Sequence, residues 1–136
     1  MNVPSAATVG DYMTADPITI GPETGVHEAI AMLLKHQISG LPVVDEDGKV
    51  VGFLSEKDCL DAFLEAEYHE SPTAFVKDLM SPEVTTVEPE TGILKTAEVF
   101  SQKGFHQLPV MQQDRLVGQI SRKDVIRAIQ AMHSTK

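Results

Sequence analysis

One unit is written twice in this chain, and that duplication limits the possible folds more than any other feature. Val9-Gly-Asp-Tyr-Met13 stands 67 residues before Val76-Lys-Asp-Leu-Met80. At the same offset Pro22-Glu-Thr-Gly25 returns as Pro89-Glu-Thr-Gly92, and Leu41-Pro-Val43 as Leu108-Pro-Val110. A deletion opposite Gly48 shortens the offset to 66. Val51-Gly52 then matches Val117-Gly118, and Ser55-Glu-Lys-Asp58 matches Ser121-Arg-Lys-Asp124. Whatever the first copy folds into, the second must be able to fold into as well.

Each copy reads as strand, helix, strand, strand, helix. Pro17 to Ile20 and Val84 to Val87 are β-rich runs, and the Pro-Glu-Thr-Gly after each supplies a turn and a helix start. The first helix presents Val26, Ile30, Leu33 and Leu34 to a core; its counterpart presents Ile93, Ala97 and Phe100. Leu41–Val44 and Val50–Leu54 form a hairpin through the turn Asp45-Glu-Asp-Gly48, repeated in the second copy through Gln113 and Asp114. A closing helix from Ser55 to about Glu65 turns Leu60, Phe63 and Leu64 inward; Val125, Ile126 and Ile129 do so in the second copy. The expected organisation is an N-terminal arm 1–8, repeat 1 at 9–65, a polar linker 66–75 broken by Pro72, repeat 2 at 76–131 and a tail 132–136. A three-stranded sheet with two helices leaves one face thinly covered in so short a unit. Two copies packed face to face solve that, so the expected fold is one pseudo-symmetric α+β module.

Composition narrows the partners. Eleven Lys and Arg against 20 acids give a net charge of -9, which excludes the clustered basic surface that a nucleic-acid polymer or an anionic membrane requires. The acidity is one-sided: residues 1–75 carry three lysines against thirteen acids, a balance of -10, whereas residues 76–136 carry eight bases against seven acids, a balance of +1. A single cysteine, Cys59, excludes an intrachain disulfide and a cysteine zinc cage. The N-terminal residues lack the pattern of a signal peptide and the longest apolar run, Ala29–Leu34, is too short for a bilayer, so a soluble cytoplasmic protein is expected.

The ordered set of motifs resembles a tandem pair of CBS domains, often called a Bateman module. The likeness covers almost the whole chain and rests on Asp-x-Met-Thr/Ser (Asp11–Thr14, Asp78–Ser81), the central Leu-Pro-Val, and the closing Gly-x-x-Ser-x-x-Asp of each copy. It implies two β-α-β-β-α repeats related by a pseudo-twofold axis, with clefts between them for adenosine-containing ligands such as AMP, ADP, ATP or S-adenosylmethionine, with or without Mg2+. No cofactor is required and no enzyme activity is implied. A homodimer is implied too, and the charge split favours copy one of each chain against copy two of its partner. With both repeats counted, little sequence remains for an output domain, so the signal is expected to pass to a separate, unidentified effector protein.

Ser55/Asp58 and Ser121/Asp124 admit two readings. Ser-x-x-Asp before an apolar run is a capping box, in which the serine oxygen accepts a free helix N–H and the acid favours the positive helix end. The same geometry suits a nucleotide: the aspartate accepts from the ribose hydroxyls, while the serine and the unpaired N–H groups donate to phosphate. The resemblance assigns those roles to these residues, and both copies keep both. It places the adenine slot at Thr19, Ile20 and Pro42 in copy one and at Thr86, Val87 and Pro109 in copy two. Its phosphate rim falls on Ser39-Gly40 and on His106-Gln107, with Arg122 and Lys123 in the second closing motif. Copy one has Glu56 and Lys57 where copy two has Arg122 and Lys123, so the second site is expected to suit a phosphorylated ligand and the first to take a nucleoside or stay empty. The opposing reading is a ligand-free interaction module whose Ser-x-x-Asp motifs only cap helices. Other chemistry is weaker: Asp45-Glu-Asp-Gly fails as a calcium loop because Lys49 and Val50 fall where a ligand and a glycine are needed. No phosphate loop, nucleophile elbow or metal-ligand spacing is present.

Overall fold

The computed structural model describes residues 7–69 and 74–134. The chain divides into two compact units: residues 18–84, and residues 1–17 together with 85–136. These are not the two repeats. Each unit takes the body of one copy and the opening segment of the other.

In the unit built on the first copy, β2 (Gly40–Val44) and β3 (Val50–Ser55) form the antiparallel hairpin. Asp45 closes its turn: one carboxylate oxygen accepts the amides of Asp47 and Lys49, both at 2.9 Å, and Gly48 takes the positive φ of 84° that a side chain would resist. A loop carboxylate so engaged is a turn-former, as expected. Ile20 adds a single parallel bridge to Val43, and Ser81 an antiparallel bridge to Phe53 on the other edge. The expected strand at Pro17–Ile20 is thus one bridging residue, since Pro17 has no amide to donate. Helices α2 (Val26–His36), α3 (Glu56–His69) and α4 (Val76–Leu79) complete the unit around Ile20, Ala29, Leu33, Leu41, Val43, Leu54, Cys59 and Val76.

The other unit repeats the plan. Its β1 (Thr14–Ala15), β5 (Arg115–Ser121) and β4 (Gln107–Gln112) lie in that order, with Val87 bridging β4 in parallel through Val110. Helices α1 (Val9–Tyr12), α5 (Ile93–Lys103) and α6 (Arg122–Ser134) pack with them around Val9, Phe100, Leu108, Val110, Ile120 and Val125. Neither α1 nor α4 was expected from periodicity. Each is a single turn capped by the motif aspartate: Asp11 accepts the Thr8 amide at 3.1 Å, and Asp78 the Phe75 amide at 3.0 Å.

Two exchanges explain why the motifs recur. The Val9 and Gly10 amides donate to the carbonyls of Thr91 and Pro89, both at 2.8 Å, while Val76 and Lys77 donate to Thr24 and Pro22 at 2.8 and 2.9 Å. Met13 then lies on Gly118, and Met80 on Gly52. A Cβ at Gly118 would stand 2.7 Å from the Met13 sulfur and 2.8 Å from the Thr14 carbonyl oxygen; one at Gly52 would meet the Met80 sulfur at 2.4 Å and the Ser81 oxygen at 2.9 Å. Only glycine admits that approach.

The helices differ from expectation on their outer sides. Leu34, Leu60, Phe63, Leu64 and Ile126 are exposed rather than buried, Leu60 and Phe63 to about two thirds (64% and 65%). The stripe that meets the core is narrower than the periodicity suggested and is filled by smaller residues: Ala29 with Leu33 on α2, Cys59 on α3, Val125 with Ala128 on α6. Helix α3 also runs through His69, into the segment read as linker, because Ala66 and Glu67 favour helix and the first breaker is Pro72. Residues 1–6 of the expected arm, 70–73 of the linker and 135–136 of the tail lie outside the described residues.

Gly118→Ala should destabilise the fold by about 1–3 kcal/mol, because the Thr14 carbonyl cannot step aside as a thioether can. Gly21→Ala, whose added carbon meets only the Thr24 hydroxyl at 3.7 Å, should stay within about 0.5 kcal/mol of the parent in urea denaturation. Burial, then the Asp58 and Glu56 charges, push the Cys59 thiol above its ordinary pKa. Its contribution to stability is therefore full below the ordinary thiol range and is lost as pH rises through the elevated folded value. At pH 8 iodoacetamide should label the native protein far more slowly than the urea-unfolded chain.

Candidate functional site

At one end of each sheet the last strand turns directly into a helix, and the sequence-predicted residues gather there. In the first-copy unit Gly40 pairs with Ser55 across the hairpin, and the Glu56 amide donates to the Ser39 carbonyl at 2.9 Å. In the other unit Gln107 pairs with Ser121, and the Arg122 amide donates to the His106 carbonyl at 3.1 Å. The next strand position is fixed the same way in both. The amide of Ile20 donates to Pro42 at 3.2 Å and that of Val87 to Pro109 at 3.1 Å, which sets exposed Thr19 and Thr86 beside buried Ile20 and Val87. Pro42 and Pro109 are fully buried.

The Ser-x-x-Asp boxes are formed in full. The Ser55 amide donates to Asp58 Oδ2 at 2.9 Å and the Asp58 amide to Ser55 Oγ at 3.1 Å; the Ser121–Asp124 pair repeats this at 2.8 and 3.2 Å. The helix-start reading is therefore correct at both positions. It also changes the phosphate expectation. The amides of Ser55, Glu56 and Asp58 are all engaged, as are those of Ser121, Arg122 and Asp124, so most of the first-turn donors assigned to a phosphate are already used. An anion at either helix start would have to be met mainly by side chains.

The two aspartates differ beyond the box. Asp124 is buried, and its second oxygen, Oδ1, is held by the Arg127 guanidinium one turn along α6. Asp58 is half-buried and its Oδ1 has no partner among the described residues. The residue in the place of Arg127 is Asp61, which pairs with Lys57 at 2.9 Å on the exposed side of α3 and raises the Lys57 pKa through that hydrogen bond and its charge. Sequence reading did not single out Arg127; the offset of 66 that aligns Asp58 with Asp124 also aligns Asp61 with Arg127, and that reversal of charge was the available signal.

The cations assigned to the phosphate rim are distributed less simply. His106 and Lys123 are exposed. The Arg122 side chain is turned back: its Nε donates to the Phe105 carbonyl at 2.6 Å, and it lines a groove of about 370 Å3 between α5 and α6 with Phe100, Val125, Ile126 and Ile129. Among the described residues no group of three or more His, Cys, Asp or Glu is placed to hold a metal ion. Nor is any described helix long and apolar enough to cross a membrane.

Comparison with known proteins shows the family of the chain. The sequence profile of the CBS domain matches twice, at residues 9–65 and 76–131. The chain is 32% identical to the chloroplastic CBS domain-containing protein CBSX1 of Arabidopsis thaliana over 89% of its length, and 33% identical to an inosine-5'-monophosphate dehydrogenase of Aquifex aeolicus over 85%. It spans 63% of the first relative and 23% of the second. Among solved structures, CBSX2 in complex with AMP superposes with a TM-score of 0.79 at 30% identity, covering 92% of this chain and 97% of that one. The CBS domain pair of protein MJ0100, in complex with 5'-methylthioadenosine and S-adenosylmethionine, gives 0.82 at 27% identity, covering 93% and 98%. With two matches that together take in most of its residues, the chain belongs to the CBS-domain family, as a tandem pair of CBS domains.

Proposed function

We propose that this protein is a non-catalytic sensor of adenosine-containing ligands, acting in the cytoplasm. The observation that carries the reading is the half-used carboxylate. A helix cap needs one oxygen of the aspartate, and in both units Oδ2 alone serves it. Oδ1 of Asp58 has no partner among the described residues, and Oδ1 of Asp124 holds only the exposed Arg127 side chain. Neither is used by the cap, so each can be turned to ribose hydroxyls, with the hydroxyls of Ser55 and Ser121 still able to donate. Thr19, Ile20 and Pro42 in one unit, and Thr86, Val87 and Pro109 in the other, form an apolar edge suited to a purine base. Ser39, Gly40, His106, Gln107 and Lys123 stand at the rim for the remainder of the ligand, AMP, ADP or ATP with or without Mg2+, or S-adenosylmethionine. The AMP bound by CBSX2 and the S-adenosylmethionine bound by MJ0100 support the ligand class. Binding signals to an effector protein by favouring one conformation of the pair over another.

A second reading has its own support: the capping boxes are complete without any ligand, as an interaction module would need. A thermal-shift panel of AMP, ADP, ATP, S-adenosylmethionine and adenosine separates the two. A ligand at one hundred times its Kd should add about 2.7 kcal/mol of stability. Asp58→Ala and Asp124→Ala together should abolish that increment. No response across the panel would leave the interaction module standing.

The same reading takes the protein to be a homodimer, for which the exposed apolar stripe is the support. Leu60, Phe63 and Leu64 recur at helical spacing on α3 beside acidic Glu56, Asp61 and Glu65; Ile126 on α6 lies among Arg122, Lys123 and Arg127. Packing α3 of one chain on α6 of the other covers the α3 stripe and Ile126 and brings unlike charges together. Light scattering should give twice the chain mass of 14.8 kDa, and Phe63→Glu should halve it. Under mild oxidant, Phe63→Cys chains should cross-link with Ile126→Cys chains but not with one another; the reverse would overturn the head-to-tail arrangement.

A further inference from the structure

We infer that Arg127 makes the Asp124 site selective for nucleoside phosphates over uncharged nucleosides, an inference that rests on the adenosine-sensor reading. Asp124 Oδ2 is committed to the Ser121 amide, so a ribose has to be received at Oδ1, the oxygen that Arg127 holds. A neutral nucleoside therefore displaces the guanidinium and offers it nothing in return. A nucleotide does offer something: its phosphate accepts the displaced guanidinium, and the number of ion pairs is unchanged. Arg127 can make that exchange because its side chain is 60% exposed and anchored only at its tip, whereas the carboxylate beneath it is 8% exposed. The guanidinium has five N–H donors in a planar fork, a shape suited to phosphate oxygens. It is also needed there, since most of the first-turn amides of α6 are already engaged and Arg122 is drawn away by the Phe105 carbonyl.

The first-copy site carries the opposite arrangement. Asp58 Oδ1 is open, so a nucleoside enters without breaking an ion pair. Its neighbour one turn along is Asp61, and Lys57 is already paired to it. A phosphate arriving there meets a second carboxylate in place of a guanidinium. One duplicated scaffold thus yields a nucleotide site and a nucleoside site through a single reversal of charge at positions 127 and 61.

Calorimetric titration with AMP and with adenosine tests this, using Asp58→Ala so that only the Asp124 site reports. The Asp58→Ala protein should prefer AMP, and adding Arg127→Gln should lower the AMP-to-adenosine affinity ratio about five- to tenfold, the range for a partly buried ion pair. Adenosine should bind more tightly and AMP more weakly. Arg127→Lys, which keeps the charge but loses the fork, should fall between. In the complementary Asp124→Ala background, Asp61→Arg should shift the remaining site toward AMP. Binding of AMP that Asp124→Ala abolishes, with a ratio unmoved by Arg127→Gln, would overturn the role of Arg127 while leaving the sensor reading intact. Failure of every adenosine ligand to bind the parent protein would overturn that reading, and this one with it.

Discussion

Each repeat's opening motif sits on the other repeat's body, and the rest of the structure depends on that exchange. The methionine of Val-x-Asp-x-Met needs a glycine beneath it, and the glycine of Val-Gly needs that methionine above it. With Met13 on Gly118 and Met80 on Gly52, the requirement runs between the copies in both directions. The amides of Val9 and Gly10 also use the carbonyls of the second Pro-Glu-Thr-Gly, and those of Val76 and Lys77 use the first. Three of the recurrent motifs are thereby the faces of two contacts, the opening motif taking part in both. Neither copy alone can satisfy its own motifs, which is why residues 9–15 complete the sheet and core of the second copy rather than the first.

Completing each unit by exchange has a consequence for the helices. The opening segment of the other copy supplies a fully buried valine to each core, Val9 in one and Val76 in the other. With that contribution made, α3 and α6 need to send only a narrow stripe inward, and small residues such as Cys59 and Ala128 fill it. Leu60, Phe63, Leu64 and Ile126 are the surplus. A periodic apolar pattern reports that a helix has an apolar face; it does not report which neighbour covers it.

This is the boundary between what could be read in the residues and what could not. The hairpins, the turn at Asp45, the starts of the long helices and the boxes at Ser55–Asp58 and Ser121–Asp124 are local, set by contacts within a few residues, and all were legible. The turns α1 and α4 were missed because four residues carry no periodicity, only a capping aspartate. The inward assignment of Leu60 and Phe63 failed because the core takes only a narrow stripe of α3, at Cys59, and periodicity does not give that width. Arg127 was overlooked for another reason: it lies outside the repeated motif, and comparing the copies for identity passes over a position where they disagree in charge.

On the proposed reading, each of the two aspartates has a structural and a chemical edge at once. A carboxylate has about four lone-pair sites on two oxygens, and a capping box consumes only those that face the helix start. Fixing Oδ2 to the preceding serine amide also fixes the direction in which Oδ1 points, so the cap orients the second oxygen instead of competing for it. What stands next to that oxygen then decides its character. In one copy it is Arg127 and in the other nothing among the described residues, although the backbone hydrogen bonds of the two junctions agree within about 0.2 Å. On the proposed reading, divergence of function in this duplicated scaffold requires no change in the fold, only a change in which charge stands one turn along the helix.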